Sequence, residues 1–218
     1  MVAILGCGWV GKALKASLEQ ESAGVWCISK ERCIDDRQRI RACRVLVIAI
    51  PPRGAYLATV EEILASLRAD AQVILLSSIS FYDGKPMVQA GERLVYGLRE
   101  DAVVLRLGGL MGHDRIAGKY TAGKTLPYDS MSNYVHREDV VGVIVAVIMQ
   151  EVRAEVLDVV APVQHPKSQI FAANAEKFGF EQTVFDSLVC RGKVISSREL
   201  EARLKYRFLY PDVNSFWG

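Results

Sequence analysis

A chain of 218 residues, half of them apolar, can bury a substantial core and suits one domain with a small subordinate lobe. Its 27 Lys and Arg against 25 Asp and Glu leave a formal charge of +2, without the basic stripe that a nucleic-acid partner requires. The run Val140 to Met149 is broken by Gly142 and falls short of the roughly 18–20 apolar residues that span a bilayer, and no basic region precedes the apolar N-terminus as in a signal peptide, so a cytoplasmic protein with no membrane or nucleic-acid partner is expected.

In chain order, MVAIL reads as a strand that runs into Gly6, Gly8 and Gly11, with a helix over Ala13–Glu19. GVWCIS is a second strand. RVLVIAI, counted as the fourth, is closed by Ile50, Pro51 and Pro52. TVEEILASLR follows as a helix, and AQVILLSS and AVVLRLG as strands, with about ten residues of turn, FYDGKPMVQA, and one helix between the last two. The stretch from Leu110 to Tyr134 lacks a period and reads as loop. REDVVGVIVAVIMQ returns to helix with Glu138 and Asp139 in its first turn, where the helix dipole favours acidic groups. EVLDVVAP is a strand, KSQIFAANAEKFGF a helix ending at Gly179, and the last thirty residues a short strand over GKVIS, a helix capped by Ser196 or Ser197, and an extended finish.

Strands of near-continuous Val, Ile and Leu alternating with helices predict a parallel sheet covered on both faces, an α/β doubly wound fold of Rossmann type. The expectation is a single domain over 1–218, with parts of 110–135 and 160–218 forming a small C-terminal substrate lobe. Helices such as TVEEILASLR could pair in a dimer or simply cover the sheet, so the oligomeric state is not readable.

In GCGWVG each glycine has a physical task. Gly6 permits the tight turn, Gly8 lets backbone approach a pyrophosphate, and Gly11 lets the helix pack against the strand. The helix N-terminus then offers N–H groups to phosphates. Cys7, Trp9 and Val10 fill the variable positions of this cofactor-binding turn. Cys7 is either a small filler or a thiol made redox-responsive by the helix N-terminus. About twenty residues on, where an NAD site usually carries an acidic residue for the ribose diol, Ser29, Lys30 and Arg32 surround a single Glu31. A hydroxyl and two cations suit a 2′-phosphate, which favours NADP, with NAD the alternative. The five cysteines, an odd number without a CxxC pair, read as reduced thiols, and the three histidines share no ligand spacing, so no metal is expected.

Four further segments stand in order along the chain: LLSSISFYDG, VVLRLGGLMGHDR, NYVHREDVV and RLKYRFLYPD. With the glycine turn they resemble the short-chain dehydrogenase/reductase superfamily, above all atypical relatives of its extended, NAD-dependent epimerase/dehydratase branch. In that family a Ser or Thr polarises the substrate oxygen, while a Tyr with a Lys four residues on moves the proton. If Glu92 matches the acidic residue after the family's Lys, the Lys position falls on Val88 and the Tyr position on Gly84, so both groups are missing. The third residue of the family's Ser-Ser-Thr aligns with Ile79, leaving Ser78, Ser80 and Tyr82 as candidate catalytic groups. Alternatively Ser77 and Ser78 cap the strand end, and Tyr82 is the packed structural Tyr usual at that place in the family. The resemblance sets Ser77 near the nicotinamide ribose and Ile50, Pro51 and Pro52 along the adenosine. It places Arg115 and His136 at the substrate, Arg115 toward a diphosphate, while His136 alternatively orders the helix start beside Asp139.

The resemblance thus implies an NAD(P)-binding reductase or epimerase/dehydratase-like enzyme for a polar, nucleotide-sugar-like small molecule. The alternative is a non-catalytic NAD(P)-binding sensor or scaffold.

Overall fold

The computed structural model describes residues 1–21, 24–28 and 37–218. Its strands are β1 (Val2–Leu5), β2 (Val25–Ile28), β3 (Val45–Ile48), β4 (Gln72–Ser78), β5 (Val103–Leu107), β6 (Gly109–Met111), β7 (Thr125–Leu126), β8 (Tyr134–His136), β9 (Val156–Val159) and β10 (Val184–Phe185). The helices are α1 (Trp9–Gln20), α2 (Arg37–Arg41), α3 (Tyr56–Ser66), α4 (Pro86–Leu98), α5 (Arg137–Met149), α6 (Lys167–Phe178) and α7 (Arg198–Leu204). The chain divides into two compact units, Met1–Leu107 with Val140–Leu157, and Gly108–Asp139 with Asp158–Gly218.

A six-stranded sheet in the order β2-β1-β3-β4-β5-β9 forms the α/β Rossmann-type core expected from the alternation. β1 lies between β2 and β3 in parallel register, Ile4 opposite Cys27 on one side and Val47 on the other. Because strand side chains alternate, Ala3 and Leu5, Leu46 and Ile48, Val73 and Leu75, and Val104 share one face. They form a single buried cluster with Ile40 of α2, Val60 and Ile63 of α3, and Val95 of α4. The opposite face carries Ile4, Val47, Ile74 and Leu105, all fully buried. On that side lies α1, since a side chain added at Gly11 would meet the Ile4 side chain at 3.4 Å. α5 lies there too, because Gln72, on the Ile74 side of β4, donates to the Val147 carbonyl at 3.1 Å. The sheet is therefore wound on both faces, and truncating a core leucine such as Leu75 to alanine would cost about 2–5 kcal/mol.

The second unit has its own small core of Ile116, Ala117, Tyr134, Ile170, Phe171, Val213, Phe216 and Trp217. Two parallel pairs, β6 with β8 and β7 with β10, frame it. Its closing strap is held by one carboxylate: the fully buried Asp139 accepts from the backbone N–H of Leu209 at 2.6 Å and of Tyr210 at 3.0 Å, and from the Tyr206 hydroxyl at 3.1 Å. Burial raises the Asp139 pKa, and these three bonds oppose that rise.

Several local expectations need correction. RVLVIAI forms the third strand in chain order, not the fourth. α2 was not anticipated, since five residues with one buried apolar side chain, Ile40, show no period. α4 begins at Pro86, inside what reads as turn, because proline suits the first helical position. No strand forms over GKVIS. Ser197 occupies the α7 N-cap position, but its hydroxyl donates to the Val160 carbonyl, and Ser196 Oγ accepts from the Arg198 N–H at 3.4 Å. Part of the stretch read as loop forms β6, a 3-10 turn at Lys119–Thr121 and β7. Among the described residues no helix is long and apolar enough to cross a membrane.

Candidate functional site

In the first unit the carboxyl ends of β1, β2 and β3 are laced to one turn. The Gly6 N–H donates to the Ile28 carbonyl at 3.2 Å, and the Ala49 N–H donates to the Leu5 carbonyl at 2.8 Å. Gly6 has φ +103°, and a Cβ there would lie 2.8 Å from Ile50 Cγ2 and 2.9 Å from the Ala49 oxygen. At Gly11 the constraint is approach: a Cβ would stand 2.1 Å from the Gly6 carbonyl oxygen. Only glycine at both positions lets α1 start directly above the strand end.

Gly8 is the α1 N-cap, exposed, with nothing within 4 Å of the position a Cβ would take. Among the described residues no side chain caps this helix, and no acidic residue stands in its first turn. A helix N-terminus that, among the described residues, is neither capped by a side chain nor crowded at Gly8 fits a diphosphate. Around it, Trp9 is half-buried, Val10 points into the core, and Pro51 and Pro52 are exposed beyond the half-buried Ile50. Any contribution of Val10 to a ligand is therefore made by its backbone. Ser29, Lys30 and Arg32 lie outside the described residues.

Cys7 does not stand as a free thiol. It is joined to Cys27 of β2, with Cα atoms 6.0 Å apart, which corrects the expectation of reduced thiols at these two positions. Twenty residues separate them in the chain, a spacing that no CxxC pattern reveals. Cys43 and Cys190 are free, and Cys33 lies outside the described residues.

At the end of β4 the side chains bind one another. Ser77 Oγ donates to Glu92 Oε1 at 2.5 Å, and Arg106 of β5 grips the same carboxylate through Nη2 at 2.7 Å and Nε at 3.1 Å. Arg106 Nη1 also donates to the Tyr82 hydroxyl at 3.1 Å, and its guanidinium stacks 3.6 Å from the Phe81 ring centroid. Burial works to lower the Arg106 pKa, but the bonds to Glu92 and Tyr82 outweigh it, so the cation is held firmly. Ser78 Oγ accepts from both the N–H and the hydroxyl of Ser80, at 3.2 and 3.0 Å. Gly84 ends the 3-10 turn Ile79–Asp83, and Val88 is buried in α4.

Sequence reasoning used Glu92 only as an alignment mark and gave Arg106 no role. A signal was present, since a lone arginine inside a Val/Leu strand needs a buried counter-charge.

In the second unit, Arg115 closes a tight turn with Gly112 through reciprocal backbone bonds of 3.1 and 3.0 Å. Its carbonyl accepts from the Trp217 indole at 3.1 Å. His136 is 1% exposed and stacks on Tyr210 at 3.8 Å. Its Nδ1 accepts from the Glu138 N–H at 3.3 Å, ordering the start of α5. Burial first, and the neighbouring His113 second, lower its pKa to about 4, so the ring is neutral at pH 7. Among the described residues no group of three or more His, Cys, Asp or Glu stands where a metal ion could be held.

No protein-family model matches the chain. It is 26% identical to Protein YeeZ of Escherichia coli (strain K12), with 97% of this chain and 96% of that protein covered. Among solved structures it is similar to MoeE5 in complex with UDP-glucose and NAD, at 15% identity and TM-score 0.79, over 99% of this chain and 95% of that one. It is also similar to UDP-N-acetylglucosamine 4-epimerase from Bacillus cereus, at 12% identity and TM-score 0.74, over 96% and 91%. The chain thus shares the α/β Rossmann-type fold of these two structures.

Proposed function

We propose that this chain binds a nicotinamide dinucleotide, NADP in preference to NAD, on its glycine turn, as an atypical member of the short-chain dehydrogenase/reductase superfamily. It acts as a reductase or epimerase/dehydratase-like enzyme on a polar, nucleotide-sugar-like small molecule. The observation that carries the reading is the clear, uncapped α1 N-terminus set directly on the ends of β1, β2 and β3. Open α/β sheets take their ligands at that edge.

When bound, the dinucleotide supplies hydride exchange, and the rest falls to side chains. Ser78, already accepting two bonds from Ser80, turns its own O–H toward a substrate oxygen. Tyr82 is the nearest phenol, held by Arg106. With Gly84 and Val88 at the positions aligned with the family's Tyr and Lys, a contribution of about 10²–10⁴ from general acid–base catalysis is lost unless one of these groups replaces it. Arg115 is assigned to a substrate phosphate, whose oxygens its planar fork would bond in pairs.

Titration with NADPH and then NADH, followed through Trp9 quenching and energy transfer, tests the reading. Saturable binding with NADPH the tighter ligand is expected, and no binding of either overturns it. The closed Ser77–Glu92–Arg106–Tyr82 network favours a second reading, binding without turnover. Deuterium transfer from C4-labelled NADPH to a panel of UDP-keto sugars separates the two, since the second reading requires none.

A further inference from the structure

We propose that Cys7 and Cys27 are a reversible dithiol/disulfide pair that sets the affinity of the glycine turn for its dinucleotide. The inference rests on the dinucleotide reading above. Cys7 is the residue between Gly6 and Gly8, two positions before the first turn of α1, a helix with no acidic residue in that turn and, among the described residues, no side-chain cap. Cys27 reaches it because β2 alternates: Trp26 and Ile28 pack into the cluster on the α2 and α3 side, which turns Cys27 to the α1 side. Parallel pairing sets Cys27 beside Ile4, and the Gly6 N–H is bonded to Ile28, so the two sulfurs meet across the seam between turn and strand. The 6.0 Å between the Cα atoms lies inside the range that a disulfide spans without backbone movement. Both residues are half-buried, within reach of a small reagent.

The bridge ties together the two elements that a dinucleotide fingerprint places around the adenosine ribose, the glycine turn and the end of β2. Two thiols stand farther apart than two bonded sulfurs, so reduction loosens the turn against β2, to which the Gly6–Ile28 hydrogen bond still ties it, and frees it to adjust to a ligand. Closure fills the seam with sulfur and fixes the turn. The oxidised form therefore binds the dinucleotide more weakly, and by linkage a bound dinucleotide protects the thiols.

The oxidant is a low-molecular-weight disulfide of the glutathione class. The Cys7 thiolate attacks one of its sulfurs, the S–S bond breaks, and one small thiolate leaves. The Cys27 thiolate then attacks the Cys7 sulfur of the mixed disulfide, forms the Cys7–Cys27 bond and expels the second thiolate. Two electrons and two protons pass from the protein to two small thiols, and an excess dithiol reverses both steps. Cys43 is a poor competitor, since burial raises its pKa.

The test equilibrates the whole chain with glutathione disulfide or with dithiothreitol, maps peptides without reduction, and titrates each form with NADPH. A Cys7–Cys27 linked peptide is expected only in the oxidised sample, with affinity at least ten-fold weaker and restored by dithiothreitol. Cys27→Ser should bind equally under both treatments. Absence of the linked peptide overturns the pair, and equal affinity of the two forms overturns the coupling. Absence of binding in both forms overturns the dinucleotide reading and the coupling with it, while the peptide map still reports the pair.

Discussion

The ends of β1 and β4 sit in one sheet with β3 between them, and they are built in opposite ways. At β1 the polar groups are backbone, held open by glycines that keep side chains off the helix start. At β4 they are side chains turned on one another: a serine, a carboxylate, a guanidinium and a phenol satisfy each other's bonds. The difference teaches that one strand end is shaped by backbone geometry and the other by side chains that satisfy one another. Altering the first requires moving main chain. Altering the second takes only side-chain substitutions, at Ser77, Tyr82, Glu92 or Arg106.

The contrast breaks most visibly at Glu92. It is 3% exposed, and its partner Arg106 is 13% exposed at the side chain, so Glu92→Ala leaves a buried cation without its counter-charge. A loss of about 3–5 kcal/mol in urea unfolding is expected, largely recovered when Arg106→Met is added. A cost below about 1 kcal/mol, the worth of an exposed pair, would mean that water already serves the guanidinium and that the β4 end is not closed.

The same inward commitment recurs at His136 in the second unit and shows itself in pH dependence. Its pKa is lowered from 6.5 to about 4 by burial, with His113 adding to the effect. Between those values the unfolded chain binds more protons than the folded one. The stability from the neutral ring is thus complete above pH 6.5 and declines as the pH falls toward 4, by about 3 kcal/mol in all. Unfolding at pH 7.5 and 4.5 should show this difference between wild type and His136→Gln. Identical pH slopes would remove His136 as its source.

The smallest stability change belongs to the open end, where the functional loss is the larger readout. Gly11→Ala sets a Cβ 2.1 Å from the Gly6 oxygen and forces α1 off the turn. A cost of about 1–3 kcal/mol is expected. NADPH binding should weaken more than ten-fold in the folded variant. Wild-type affinity would show that the dinucleotide site lies elsewhere.

Alternation of apolar strands with helices was enough to read the doubly wound sheet, because burial on both faces leaves its mark in composition. The strap that Asp139 holds could be matched only as a motif, RLKYRFLYPD, since its cause is a carboxylate far back in the chain. Ser196 and Ser197 were both legible as cap candidates. Their roles divided only once Val160 stood beside Ser197.

By itself the sequence determined the class of fold and the glycine turn, because period and backbone freedom are local properties. Tertiary structure alone decided that Glu92 takes Ser77 and Arg106, that His136 is buried against Tyr210, and that Cys7 meets Cys27. Each of those depends on which segments distant in the chain come side by side, and that is settled by packing a whole core at once rather than by the chemistry of neighbouring residues.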